Sequence, residues 1–140
     1  MIAYFDTSAL VKTVIDEPGS QVAIEAWNGG DARATSMIAY VEARAALAMA
    51  RRERRLTRAT EARARLDDRW SAMHRIAVSD DVVHVAGDLA DAHALRGFDS
   101  VHLATALQVS DPDRLIFVTW NRALAHAASR SGLSVAPALD

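Results

Sequence analysis

The chain has 140 residues, of which 51% are apolar and 24% charged, with a formal net charge of −2 and no cysteine. This composition is typical of a globular protein rather than a disordered segment. The lack of cysteine excludes disulfides, thiol catalysis and zinc–thiolate sites, so a metal must be held by carboxylates, imidazoles or amides. No apolar run reaches the ~18 residues that cross a bilayer and no signal peptide is recognisable, so we expect one cytoplasmic domain over 1–140.

The N-terminal half begins with a predicted buried strand that ends on an acid. The strand covers 2–5 and stops at Asp6, after which a short helix begins and is broken at Pro18 and Gly19. The next predicted elements are a helix over 20–27, an extended segment over 32–35, a helix over 37–54 and an arginine-rich helix over 57–74. The apolar members of the two middle helices are Val22, Ile24, Ala26 and Trp27, then Ile38, Val41, Ala45, Leu47, Ala48 and Met49.

The C-terminal half again alternates strands with helices. We predict a strand over 76–78, a helix over 83–95, a helix over 101–109 with Asp99 at or near its N-cap, a strand over 115–118, a helix through 124–128 and a last strand over 133–135. Such alternation indicates a parallel sheet covered by helices on both faces. The sequence therefore predicts an α/β fold, a three-layer α/β/α sandwich.

Basic residues are unevenly distributed along the chain. Nine of the sixteen lie between Arg51 and Arg75, and Lys12 is the single lysine. Arginine is the better partner for phosphate, since its planar fork binds two oxygens at once. Acids interleaved with these arginines are typical of a solvated helical surface. A face for nucleic acid or a protein partner, and a salt-bridged helical hairpin, are both open interpretations.

Four polar positions are expected at one edge of the sheet. Asp6 and Asn121 follow the two strongest strands, and Glu42 and Asp99 lie at the starts of two helices. The carboxyl ends of parallel strands open into a common crevice, where these side chains can converge. For Asp6 a second interpretation stays open, because an Asp at this place also caps the following helix.

Three carboxylates and an amide in one crevice point to a bound cation. Without one the acids repel, and at least one has its pKa raised. Oxygen ligands with several positions left to water suit Mg²⁺ or Mn²⁺ better than zinc. A cation held in this way typically acts on phosphate, where it neutralises developing charge and activates a water. The pattern therefore predicts phosphodiester hydrolysis.

The same residues lie in motifs that resemble those of PIN-domain proteins of the VapC toxin type. The segments Phe5–Lys12, 17–20, Thr35–Arg44, Phe98–Ala106 and Val118–Asn121 match that family in order, and the resemblance covers essentially the whole chain. It implies a Mg²⁺- or Mn²⁺-dependent ribonuclease with a mostly parallel sheet of about five strands. It also implies an RNA substrate, a homodimer, a cognate VapB-like antitoxin and no membrane partner.

The resemblance also assigns site residues. Three acids match the family's metal site, the second of them directly or through water: Asp6, Glu42 and Asp99. Three hydroxyl positions match residues that orient these acids or a bound water: Thr7, Ser8 and Thr119. Asn121 stands where the family usually has a fourth acid and offers a carbonyl oxygen without a charge.

Other polar residues near the expected crevice have weaker assignments. His102, three residues after Asp99, is interpreted as a packed or hydrogen-bonded histidine rather than a metal ligand. Lys12 and Arg96 are candidates for contacts with RNA phosphates. Trp120 is the candidate for base stacking.

Two further classes of function compete with the nuclease. One is a catalytically weakened PIN-like module that has lost activity through Asn121 and holds RNA or a protein partner. The other is a phosphatase or phospho-receiver domain on a similar sheet. It ranks last, because an Asp-x-Asp phosphatase needs an acid at position 8, which is Ser8.

Overall fold

A five-stranded parallel sheet lies at the centre of the protein. The computed structural model describes residues 1–109 and 111–140. The strands are β1 (Ile2–Phe5), β2 (Ala32–Ser36), β3 (His74–Ile76), β4 (Leu115–Val118) and β5 (Ser134–Ala136). Their order in the sheet is β3-β2-β1-β4-β5, and all four pairings are parallel. The predicted, mostly parallel sheet of about five strands is confirmed.

Helices cover both faces of this sheet. Within the described residues they are α1 (Thr7–Lys12), α2 (Ser20–Gly29), α3 (Ala39–Arg52), α4 (Ala59–Ser71), α5 (Asp80–His93), α6 (Gly97–Val109) and α7 (Arg122–Arg130). Side chains of β1 alternate between the faces: Phe5 packs with α1 to α4, and Tyr4 with α6 and α7. The three-layer α/β/α sandwich is therefore confirmed. None of these helices is long and apolar enough to cross a membrane.

Strand β1 lies in the middle of the sheet, and this position determines where the candidate site forms. Tyr4 pairs with Ala34 of β2, and Phe5 pairs with Val118 of β4. Because the three strands are parallel, the residues that follow them leave the sheet at the same edge. Asp6 therefore emerges between the segments that follow β2 and β4.

The third strand and the helix before it end earlier than predicted. β3 covers His74–Ile76 rather than 76–78, because it pairs in register with Ala34–Ser36 of β2. To reach that register the chain leaves α4 at Ser71 instead of continuing the helix to 74. The prediction was wrong here, since the bounds of this short strand are determined by its partner and not by its own apolar residues.

Two other helices begin earlier than predicted. α5 begins at Asp80 rather than 83, because the Ser79 hydroxyl accepts a hydrogen bond from the backbone N–H of Val82 and caps the helix. α6 begins at Gly97 rather than 101. Asp99 consequently lies inside the first turn of α6, two residues after its first residue, and not at the cap position.

The buried faces of α2 and α3 differ from the predicted ones. Val22 and Ile24 of α2 are exposed, and Val41 and Met49 of α3 are 71% and 52% exposed. The buried residues of α3 are Ala39, Ala43, Leu47 and Ala50, of which only Leu47 was predicted. Small side chains let α1 approach α3 closely. The larger apolar residues of α3 are left on the outer surface.

The arginine-rich segment forms the end of α3, the following turn and α4. Three of its arginines pair with acids at 2.9 to 3.5 Å: Arg55 with Glu53, Arg58 with Glu61, and Arg63 with Asp67. Arg69 lies over the ring of Trp27, with its guanidinium carbon 4.8 Å from the ring centre. These contacts agree with the salt-bridged hairpin, and a role in binding nucleic acid or a partner stays a prediction.

Candidate active site

Asp6 lies at the junction of β1 and α1, and protein donors surround its carboxylate. Oδ1 accepts hydrogen bonds from the Ser8 hydroxyl at 2.7 Å and from the backbone N–H of Ala9 at 2.9 Å. Oδ2 accepts a hydrogen bond from the Thr119 hydroxyl at 2.5 Å. The side chain is only 3% exposed. Asp6 therefore caps α1 and also lies at the predicted edge, and its role as a functional residue stays a prediction.

The two hydroxyls that hold Asp6 connect it to the segment after β4. The Ser8 hydroxyl accepts a hydrogen bond from the backbone N–H of Trp120 at 2.9 Å. The Thr119 hydroxyl accepts one from the backbone N–H of Asn121 at 3.0 Å. Ser8 and Thr119 thus make the contacts that orienting hydroxyls would make. They also connect the start of α1 to the segment after β4.

Glu42 reaches the same edge from the first turn of α3. Its Oε1 accepts hydrogen bonds from the Thr7 hydroxyl at 2.6 Å and from Nε2 of His102 at 2.9 Å. The His102 ring is 1% exposed, and its Nδ1 lies 2.9 Å from the hydroxyl of Tyr4. His102 is therefore a hydrogen-bonded, buried residue, as expected from the sequence.

Asp99 and Asn121 form the opposite side of the site. The amide nitrogen of Asn121 donates a hydrogen bond to Oδ2 of Asp99 at 3.1 Å. The amide oxygen accepts one from the backbone N–H of Leu124 at 3.1 Å and caps α7. Because a backbone N–H can only donate, this contact determines which way the amide is turned. Asn121 consequently presents N–H, not oxygen, to the carboxylate of Asp99.

An open cleft lies between these groups. It has a volume of about 390 Å³, and its lining residues are Glu42, Arg96, Gly97, Phe98, Asp99 and Asn121. Asp6 lies beside it and is connected to Asn121 through Thr119. Within residues 1–109 and 111–140, no three Asp, Glu or His side chains are close enough together to enclose a metal ion.

The three acids differ in electrostatics. Burial raises the pKa of Asp6, although His102 and the donors of Thr119, Ala9 and Ser8 oppose this. Burial also raises the pKa of Asp99, and the negative charge of Glu42 adds to it. For Glu42, burial would raise the pKa, but the hydrogen bonds from His102 and Thr7 outweigh it and lower the pKa. The negative charge is therefore costly at the two aspartates and compensated at Glu42.

This arrangement fits a hydrated hard cation. The donors that face the site are carboxylate and hydroxyl oxygens, which Mg²⁺ and Mn²⁺ prefer. Mg²⁺ usually keeps several waters and takes only one or two protein carboxylates directly, so Glu42 and Asp99 in the cleft, with the buried Asp6 beside it, are enough. A cation would also relieve the cost that burial imposes on Asp6 and Asp99.

The remaining candidates lie at the border of the site. Arg96 lines the cleft. The ammonium of Lys12 contacts Glu17 at 3.0 Å and the backbone oxygen of Pro18 at 2.8 Å, so internal partners already occupy it. The Trp120 ring packs against Gly19, where a Cβ atom would lie 2.7 Å from the indole nitrogen. Lys12 and Trp120 thus hold the loop after α1 beside the site.

The fold and these acids define a class of open α/β proteins with an acidic site at the carboxyl edge of a parallel sheet. The PIN-domain family model matches residues 3–129, so the chain belongs to the PIN-domain family. It is 47% identical over 139 residues to ribonuclease VapC49 of Mycobacterium tuberculosis strain H37Rv and to ribonuclease VapC45 of strain CDC 1551. The alignments cover 98% of this chain and 96% of each relative. The resemblance seen in the sequence is confirmed.

Solved structures show the same fold. A toxin–antitoxin complex from Klebsiella pneumoniae is similar with 25% identity and a TM-score of 0.61, over 85% of this chain and 86% of that chain. VapBC2 of Rickettsia felis, bound to a DNA fragment from its promoter, is similar with 16% identity and a TM-score of 0.65, over 96% of this chain and 97% of that chain. PAE2754 of Pyrobaculum aerophilum is similar with 18% identity and a TM-score of 0.69, over 96% of this chain and 83% of that chain.

Sequence reasoning did not identify Tyr4 as part of the site. Tyr4 precedes Asp6 by two residues, and its hydroxyl meets a ring nitrogen of His102 from the other half of the chain. The period of two in a strand was a usable signal, because it places Tyr4 and Asp6 on the same side of β1. The partner of Tyr4 was not readable, since it is 98 positions away in the sequence.

Proposed function

We propose that the protein is a Mg²⁺- or Mn²⁺-dependent endoribonuclease and the toxin of a toxin–antitoxin pair. The observation that carries the proposal is the arrival of Asp6, Glu42 and Asp99 at one edge of the sheet from three separate elements. The names of the two relatives at 47% identity, both ribonucleases, support the same activity. Action on RNA would place the protein in the cytoplasm.

In this proposal Asp6 and Asp99 hold the cation directly, and Glu42 holds it through a water. The bound cation would supply charge neutralisation at the phosphoryl oxygens and lower the pKa of an attacking water. Ser8 and Thr119 keep Asp6 in place, and Asn121 keeps Asp99 in place through its N–H. Arg96, at the border of the cleft, binds a phosphate of the RNA.

The proposed partners are an RNA substrate, a second copy of the chain and a VapB-like antitoxin. The similar structure from Klebsiella pneumoniae supports the antitoxin, because it is a toxin–antitoxin complex. Exposed apolar side chains support protein contacts, since Val41 and Met49 of α3 and Val22 of α2 lie on the surface.

The proposal is tested by substituting Asp6 with Asn, which removes the charge but can still cap α1. We expect Asp6→Asn to lower the rate of RNA cleavage with Mn²⁺ by more than about 100-fold, because outer contacts of metal sites alone are worth about 10- to 100-fold. The matched control is Asp113→Asn, since Asp113 is exposed and lies before β4 at the opposite edge. Unchanged cleavage by purified, folded Asp6→Asn would contradict the proposal.

A second candidate function follows from Asn121. Its oxygen caps α7 and its N–H faces Asp99, so the fourth position offers the cation no oxygen in this arrangement. A weakened PIN-like module that binds RNA or a protein without cleaving it would have this feature. Calorimetric titration with Mn²⁺ separates the two, because a module without catalysis would show no Mn²⁺ binding that depends on Asp6 and Asp99.

A further inference from the structure

A chain of hydrogen bonds crosses the interior from β1 to the cleft. It runs from the hydroxyl of Tyr4 to Nδ1 of His102 at 2.9 Å, and from Nε2 of His102 to Oε1 of Glu42 at 2.9 Å. The Tyr4 ring is fixed in turn, since it stacks on Phe117 with the ring centres 5.2 Å apart. Of the three residues that these hydrogen bonds join, Tyr4 and His102 are fully buried, and Glu42 is not.

The direction of the second hydrogen bond follows from the chemistry of its ends. An ionised carboxylate can only accept, so Nε2 of His102 must carry the hydrogen that Glu42 receives. In a neutral ring Nδ1 then accepts from the Tyr4 hydroxyl, and in a charged ring it donates to that hydroxyl. Nε2 donates to Glu42 in both cases, whatever the charge of His102.

These contacts fasten one oxygen of Glu42 and leave the other for the cleft. Oε1 receives hydrogen bonds from Thr7 and His102, whereas no donor within residues 1–109 and 111–140 contacts Oε2. Glu42 also lines the cleft. A glutamate side chain loses considerable rotamer freedom when it is held in one conformation, so an unfastened Glu42 would be spread over several.

We propose that His102 and Tyr4 are positioning residues of the reaction: together they hold Glu42 in the conformation that directs Oε2 into the cleft. This rests on the proposed function, in which Glu42 helps to hold the cation. His102 itself is not a ligand, because both of its ring nitrogens already have protein partners. Outer contacts of this kind typically change metal affinity or activity about 10- to 100-fold.

The experiment compares three variants of the purified, full-length protein. His102→Leu removes the donor, whereas His102→Gln keeps an N–H near the position of Nε2. Tyr4→Phe removes only the hydroxyl and retains the ring that stacks on Phe117. The matched control is Thr13→Val, which removes a different buried hydroxyl, bonded to the backbone oxygen of Leu10.

The measurements are kcat and KM for RNA cleavage, the Kd for Mn²⁺ by calorimetry, and the Tm. We expect His102→Leu to lower kcat and weaken Mn²⁺ binding by about 10-fold or more with a nearly unchanged KM. We expect His102→Gln to recover most of this loss and Tyr4→Phe to lose several-fold. Thr13→Val should lower only the Tm.

Two results would overturn the inference. One is a folded His102→Leu with the kcat and Mn²⁺ affinity of the unsubstituted protein. The other is a His102→Gln variant whose kcat and Mn²⁺ affinity are as low as those of His102→Leu. The N–H at this position would then have no role, and the histidine would contribute packing alone. Should His102→Leu fail to fold, Tyr4→Phe decides: kcat and Mn²⁺ affinity equal to those of Thr13→Val would also contradict the inference.

A measurement without metal or substrate gives an independent answer. Nitrogen NMR of ¹⁵N-histidine-labelled protein should show Nε2 of His102 carrying a hydrogen, and a bare Nε2 would overturn the inference. Failure of the proposed function would look different. In that case the unsubstituted protein and Asp6→Asn would cleave RNA and bind Mn²⁺ to the same extent, whatever the state of His102.

Discussion

The two aspartates of the site carry the same group but are held in different ways. Asp6 follows a central strand, is 3% exposed, and accepts three hydrogen bonds from protein donors. Asp99 lies on a helix, lines an open cleft, and accepts one hydrogen bond, from Asn121, within the part of the chain that the structure describes. One side of the site is therefore rigid, and the other can adjust to what enters the cleft.

Lengthening each aspartate by one methylene should produce the largest contrast. Asp6→Glu must fit an extra group into a filled space, which typically costs about 1–3 kcal/mol, and it displaces the carboxylate from its donors. We expect more than 100-fold loss of RNA cleavage, because Asp6 is proposed to hold the cation directly and outer contacts alone are worth about 10- to 100-fold. Asp99→Glu has open space beside it and should lose about 10-fold.

The measurement is kcat with Mn²⁺ for both variants, together with the Tm. Equal losses in the two variants would contradict the division into a rigid and an adjustable side. The exposed Asp113 serves again as control, since Asp113→Glu adds the same methylene away from the site.

Removing a donor to Asp6 should have the next largest effect. Thr119→Val preserves the shape of the side chain but deletes the hydrogen bond to Oδ2 of Asp6. We expect a 10- to 100-fold drop in kcat, because the carboxylate loses the contact that joins it to β4. Thr13→Val, which also deletes a buried hydroxyl, should leave kcat unchanged. A kcat for Thr119→Val equal to that of this control would show that the Asp6 carboxylate is held in place without Thr119.

Placing an acid at the fourth position tests the adjustable side. Asn121→Asp keeps the cap of α7, because Asp and Asn cap helices equally well, but replaces the donor to Asp99 with a second negative charge. We expect Mn²⁺ to bind about tenfold more tightly, since affinity rises with the charge of the ligands. Calorimetry checks this, with Asn28→Asp as a control for added charge. An unchanged Kd would mean that position 121 lies outside the reach of the cation.

The smallest expected effect is on the pH dependence of stability in the metal-free protein. The raised pKa of Asp6 means that its contribution to stability is full below pH 3.8 and is lost as the pH rises through the raised value. The lowered pKa of Glu42 acts oppositely: its contribution is full above pH 4.5 and is lost as the pH falls through the lowered value.

At neutral pH, Asp6→Asn should therefore raise the Tm and Glu42→Gln should lower it, by about 5 °C or less. Thermal unfolding at pH 3 and pH 7 checks the sign, because both differences should shrink at pH 3. A rise in Tm at neutral pH for both variants would show that the hydrogen bonds to Glu42 do not compensate its burial.

The sequence was sufficient for the central strands and for the place of the acids. β1 and β4 are apolar runs that are followed by Asp6 and Thr119. Because the carboxyl ends of parallel strands lie at the same edge of a sheet, the acids were expected there. β3 was misplaced because a three-residue strand takes its bounds from its pairing with β2. The buried face of α3 was misjudged because the close approach of α1 selects alanines over the larger Val41.

The contacts within the site were beyond the sequence for a different reason. That Asn121 turns its N–H to Asp99 depends on where the backbone N–H of Leu124 lies, which the folded α7 determines. The meeting of Tyr4 with His102 requires β1 and α6 to be packed together first. Residue types indicate which groups are present, and only the assembled fold determines which atoms face each other.

The hydrogen bond between Asp6 and Thr119 joins residues 113 positions apart, and this has a consequence for synthesis. A ribosome adds about 5–20 residues per second, so on the order of ten seconds pass between the addition of one partner and the other. Contacts between such distant residues form late in folding. A nascent chain thus carries its first acid long before the pocket around it exists, and the messenger RNA being translated is not exposed to an assembled site until synthesis is nearly complete.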